Sequence, residues 1–167
     1  MKAAILLTLA AIGCGGNERD ISTLREAIDT AQVSMPDMLD VAEGSMPDGR
    51  AVTAALRVRG GTAVYAYGLI GQGSLRDIQI DTVDGVIVFS AVSGAGSDTC
   101  PDSISLVDAI AIAEGQVAGG TVTAAIPDDD VACAREIQVL APDLLWEVKV
   151  AGDGTVLELE ESDENED

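Results

Sequence analysis

The chain has 167 residues, with 29 Asp plus Glu against 9 Lys plus Arg and no histidine, for a formal net charge of −20 at pH 7. So acidic a chain lacks the clustered cations that phosphate binding requires, which excludes nucleic acid, and the missing histidine removes Ser-His-Asp triads, Cys-His pairs and imidazole metal ligands. Hydrophobic residues make up 47% and aromatics only 2%, so a core is expected and must be built from Ala, Val, Ile and Leu.

The first segment in chain order is a leader. Met1-Lys2 supplies a positive charge, Ala3 to Ala11 is apolar, and Ala11-Ile12-Gly13 places small residues before Cys14. The run has fewer than fifteen residues, whereas a helix that crosses a bilayer needs about 20. The pattern resembles a bacterial lipoprotein signal, residues 1–13, although Ala11 stands where Leu is usual. The resemblance implies that Cys14 is acylated and becomes the first mature residue, that 14–20 form a tether, and that the membrane is a partner through this anchor. Gly15 after the cysteine favours the outer membrane of the cell envelope by the same resemblance.

Next comes a pattern that recurs. Thr23-Leu24-Arg25-Glu26-Ala27-Ile28-Asp29-Thr30-Ala31 matches Ser105-Leu106-Val107-Asp108-Ala109-Ile110-Ala111-Ile112-Ala113 at an offset of 82. Both carry apolar residues at helical i, i+3, i+4 and i+7 spacing, and both open with a hydroxyl residue followed three positions on by an acid, a capping-box signature. Val52-Thr53-Ala54-Ala55-Leu56 then matches Val122-Thr123-Ala124-Ala125-Ile126 at an offset of 70. The difference reads as an inserted loop in the first copy, holding Met35, Met38 and Met46 beside Pro36 and Pro47. Asp77-Ile78-Gln79-Ile80 matches Glu147-Val148-Lys149-Val150, and Asp84-Gly85 and Asp153-Gly154 mark hairpin turns. Alternation through Trp146, Val148 and Val150 on one face, and Glu147 and Lys149 on the other, predicts antiparallel strands with one covered face. The expected fold class is α+β: two tandem repeats, 21–92 and 103–160, each one helix packed on an antiparallel β-meander. Residues 93–102 read as the linker and 161–167, rich in Glu and Asp, as a disordered acidic tail.

Export places Cys100 and Cys133 in an oxidising compartment, and with Cys14 acylated they are an even pair, so a disulfide between them is predicted.

A helix of the form Ser/Thr-Leu-x-x-Ala-Ile-x-x-Ala, a meander ending in Trp146-Glu147-Val148-Lys149-Val150, the Asp153-Gly154 turn and a final strand resemble the PepSY family. Residues 103–160 carry the fuller likeness. Residues 21–92 depart from it, because Arg76-Asp77 replaces the aromatic-acid pair and the loop is longer. The resemblance implies a binding module without catalysis, acting on an envelope protein, with restraint of a peptidase as the specific role.

Several residues invite a chemical reading. Tyr65 and Tyr67 share a strand face and suit either a partner-binding patch or a hydroxyl cap on the helix-facing core. Arg57 and Arg59 share a face and join that patch as candidates, or lie solvated beside Asp77 and Asp81. Asp128-Asp129-Asp130 offers hard oxygen ligands for weak calcium, without the alternate spacing of an EF-hand. A cation-responsive structural protein is therefore the second functional reading. The remaining acids fall at helix starts and turns, and no catalytic residue is assigned.

Overall fold

The computed structural model describes residues 21–142 and 144–162. The leader 1–13, Cys14, the tether 14–20 and the tail from 163 onward lie outside the described residues. Within them are helices α1 (Ile21–Thr30), α2 (Met35–Gly44) and α3 (Leu106–Gln116). The strands are β1 (Arg50–Arg59), β2 (Thr62–Gly71), β3 (Ser74–Asp81), β4 (Ile87–Ala95), β5 (Thr121–Pro127), β6 (Arg135–Leu140), β7 (Leu145–Val150) and β8 (Val156–Glu161). All eight form one antiparallel sheet in the order β4-β3-β2-β1-β5-β6-β7-β8. The chain is thus α+β, with two meanders joined edge to edge where β1 meets β5.

Residues of alternate register cover one face. Ile78, Tyr67, Ala54, Ala125, Ile137 and Val148 form a continuous cross-strand row, each no more than 2% exposed. Over this row lie Met35, Leu39 and Ala42 of α2 and Leu106, Ala109, Ile110 and Ala113 of α3. Burying each of the larger aliphatic chains contributes about 1.5–3 kcal/mol. With so few aromatics, the two central alanines let the helices approach the sheet closely.

Local chemistry starts both helices in the same way. Ser34 caps α2 and accepts from the Asp37 N–H at 3.2 Å, and Ser105 caps α3 and accepts from the Asp108 N–H at 3.1 Å. The acids at these positions also suit the positive end of the helix dipole. At the other end, the Glu43 carboxylate accepts from the Ala51 N–H at 2.8 Å, and the Glu114 carboxylate accepts from the Val122 N–H at 2.9 Å. These bonds staple each helix to the start of the strand that follows it. Between helix and strand, Asp48 and Gly119 take positive φ, and the Gly49 and Gly120 amides donate to Met46 and Val117 at 2.9 Å each. A β-bulge follows at Val52 and at Thr123. Every one of these features recurs at an offset of 71.

That recurrence corrects the alignment expected from sequence. The counterpart of α3 is α2, not Thr23–Ala31, and Met35-Pro36-Asp37-Met38 opens a helix rather than an inserted loop, while Met46 and Pro47 lie in the turn after it. Pro36 is tolerated because it sits in the first turn, where an N–H would have no helical partner. Thr23 lies inside α1 and is not its cap. Instead α1 bridges the halves, with the Arg25 guanidinium donating to the carbonyls of Ala141 and Pro142. Ser93 to Ala95 belong to β4 rather than to a linker, Glu161 ends β8, and the Ser162 N–H donates to Leu145 O at 2.9 Å.

Replacing Glu114 by Ala should strand the Val122 N–H beneath α3 and destabilise the fold by about 1–3 kcal/mol, the cost of an unsatisfied buried donor. Urea unfolding checks this, with Glu114→Gln, which keeps a carbonyl oxygen, recovering part of the loss.

Candidate functional site

Tyr65 and Tyr67 point from β2 into the helix layer, 5% and 2% exposed. The Tyr65 hydroxyl donates to Val33 O at 2.9 Å and the Tyr67 hydroxyl to Met35 O at 2.7 Å, clamping the start of α2 to the sheet. Burial pushes both phenols above their ordinary range; Asp37 adds to this at Tyr65, and Tyr65 and then Asp37 add to it at Tyr67. Of the two roles open from sequence they take the core-capping one, and they present no patch to a partner.

Among the described residues no helix packs on the opposite face of the sheet, which mixes charged residues with Val64, Ile126 and Phe89. Arg57 and Arg59 are exposed near the end of β1, opposite Val64 and Thr62 of β2. Asp77 and Asp81 stand one strand farther away on β3. Across the other meander, Gln138, Glu147 and Glu160 form one cross-strand row and Glu136, Lys149 and Glu158 the next. Burial, then Glu136 and Glu160, raise the Glu147 carboxyl above its ordinary value. Arg57 and Arg59 thus stand between the carboxylates of β3 and those over β6, β7 and β8.

Asp128, Asp129 and Asp130 lie in the β5–β6 connection, where Asp128 is already engaged. One carboxylate oxygen accepts from the Asp130 N–H at 3.0 Å and from the Val131 N–H, and the other meets Lys149 Nζ at 2.9 Å. Lys149 also reaches Glu158 at 3.5 Å. Burial opposes the charge on Asp128, but the Lys149 bond and the two backbone donors outweigh it and lower its carboxyl below the ordinary range. The hydrogen bond from Lys149 to Asp128 raises the lysine in turn. Among the described residues no group of three or more Cys, Asp or Glu side chains is placed to hold a metal ion.

Cys100 and Cys133 are joined in a disulfide, the pairing expected from sequence. It lies beside a hub that local sequence patterns do not reveal. Arg50, at the start of β1, donates to Asp98 Oδ2, Cys100 O, Ser103 O, Ser103 Oγ and Ile104 O, all within 2.7–2.9 Å. A planar guanidinium is suited to such a fork. Nearby Arg135 is 6% exposed, and burial, followed by Arg50, lowers its guanidinium below the usual value while Asp98 opposes. Glu43 and Glu114 also escape a reading based on single motifs. Their signal is Ala-Glu-Gly at 42–44 and again at 113–115, visible once Ser34 is aligned with Ser105.

Asp128 carries a depressed folded-state pKa, so its contribution to stability is present above the ordinary Asp value of about 3.9 and is lost as pH falls below it. Asp128→Asn should therefore lower the melting temperature at neutral pH. The gap from the parent chain should close as the scan moves to more acidic buffers, and a gap that persists in acid contradicts the ion-pair account.

Among the described residues no helix is long and apolar enough to cross a membrane. One solved structure that resembles the chain is that of a Clostridium difficile 630 protein described as a candidate lipoprotein, with 18% identity, a TM-score of 0.48, and coverage of 79% of this chain and 95% of that one. No curated protein matches the chain. The family model described as "Peptidase propeptide and YPEB domain" matches residues 103–160, which hold α3 and the whole second meander from β5 towards the end of β8. That segment of the chain matches the PepSY family.

Proposed function

We propose that the chain is a non-catalytic lipoprotein of the bacterial cell envelope that binds a peptidase and restrains it. The PepSY domain at 103–160 carries this reading, since its family is described by a peptidase propeptide. The recurrence of caps, glutamate staples, turns and bulges at an offset of 71 supports a second unit of the same type in the first half. In this reading the face opposite the helices makes the contact, through Arg57 and Arg59 near the β1–β2 turn and Glu147, Glu158 and Glu160 over β7 and β8. The pattern ending at Cys14 supports lipid anchoring, and Gly15 the outer membrane.

Two measurements test the proposal. Purified envelope peptidases from the encoding bacterium, assayed on fluorogenic peptides, should slow in proportion to added chain, and Arg57→Glu with Arg59→Glu should weaken the effect about tenfold or more, as expected when the sign of interface charges is reversed. Unchanged rates for every peptidase, with the chain itself digested, exclude the inhibitory role. Cys14→Ser should move the chain from the membrane to the soluble fraction, and its retention there excludes the anchor.

A further inference from the structure

The two edges of the sheet are unlike. β8 ends it with Glu158, Glu160 and Glu161, an acidic border of the kind that keeps strand edges apart. β4 ends the other side, and from Gly85 to Ser97 it carries no charged residue, in a chain where 23% are charged. Val88, Phe89 and Val92 are 56%, 45% and 61% exposed, and Ile87 is 37% exposed. Among the described residues β4 pairs only with β3, so its outer row of backbone N–H and C=O groups has no strand beside it. Register shifts disturb the pairing with β3 near each end of β4, but Phe89 to Val92 remain regular.

We infer that β4 docks a second copy of this chain, antiparallel and centred on Ala91, so that two eight-stranded sheets become one. Three observations favour a copy over a foreign strand. The edge is uncharged, so two chains of net charge −20 can meet there without placing carboxylates between them. A two-fold axis at Ala91 sets a bulky residue against a small one in every pair, Ile87 against Ala95, Val88 against Gly94, Phe89 against Ser93 and Val92 against Ser90. The chain already joins its own two meanders in this way, antiparallel with Ala54 opposite Ala125. Because β8 is acidic, the pairing stops at two copies instead of propagating as a fibre.

The full chain carrying Cys14→Ser, followed by sedimentation equilibrium, should be a dimer that tightens as salt is raised from about 0.05 to about 0.5 M, since repulsion between like-charged copies is screened. Val92→Lys on β4 should weaken association at least tenfold, while Leu157→Lys on β8 should leave it unchanged, which separates edge pairing from general stickiness. Ala91→Cys in the same background should cross-link to itself on mild oxidation, as directly opposed strand residues lie about 4.5–5.5 Å apart. A chain that stays monomeric up to about 100 µM overturns the proposal and leaves β4 to a foreign extended strand. A dimer that survives Val92→Lys, or is lost equally in Leu157→Lys, overturns it as well.

Discussion

The antiparallel pairing of β1 with β5 is the constraint on which the molecule depends. Its register places Ala54 opposite Ala125 and Ala55 opposite Ala124, and among the described residues these two pairs join the two meanders through the sheet. So short a ladder would be marginal alone. It is supported from several sides: α2 and α3 lie over it, α1 reaches across through Arg25 to Ala141 and Pro142, and the Arg50 fork binds the connecting segment at 98–104 to β1. A larger side chain at either central alanine would lift the helix layer and disturb all of these supports together.

The class of fold and most strands were legible because alternation is a direct statement about faces. The Asp-Gly turns, the Ser105 cap and the pairing of Cys100 with Cys133 were legible for equally local reasons. What misled was the first half. Pro36 and three methionines look like a loop, yet proline in the first turn costs a helix nothing, and methionine fills gaps that aliphatic neighbours leave. The role of the tyrosines could not be read at all, because alternation shows that Tyr65 and Tyr67 share a face without saying which face is covered. Arg50 and the glutamate staples act between segments distant or newly aligned, so no window around them reveals their partners.

The distribution of charge follows from the same geometry. The helix layer takes one face and leaves the other to water, so the acids gather where strands are solvated and where turns need acceptors. Asp128 shows how one carboxylate can shape a turn and hold a lysine at once. The net result is a sheet whose acidic end and uncharged border are separated by nearly its full width.

The bond from Arg25 to the turn at 141–142 has a consequence for how the molecule stands on a surface. Only six residues lie between Cys14 and Ile21, so the seven steps from one to the other span no more than about 25 Å even when fully drawn out. Grease on that sulphur would hold α1 close to the lipid headgroups, and α1 would hold the β6–β7 corner with it. The molecule would then be moored by one corner, with β4, on the far side of the sheet, left clear to meet a neighbour moored in the same bilayer.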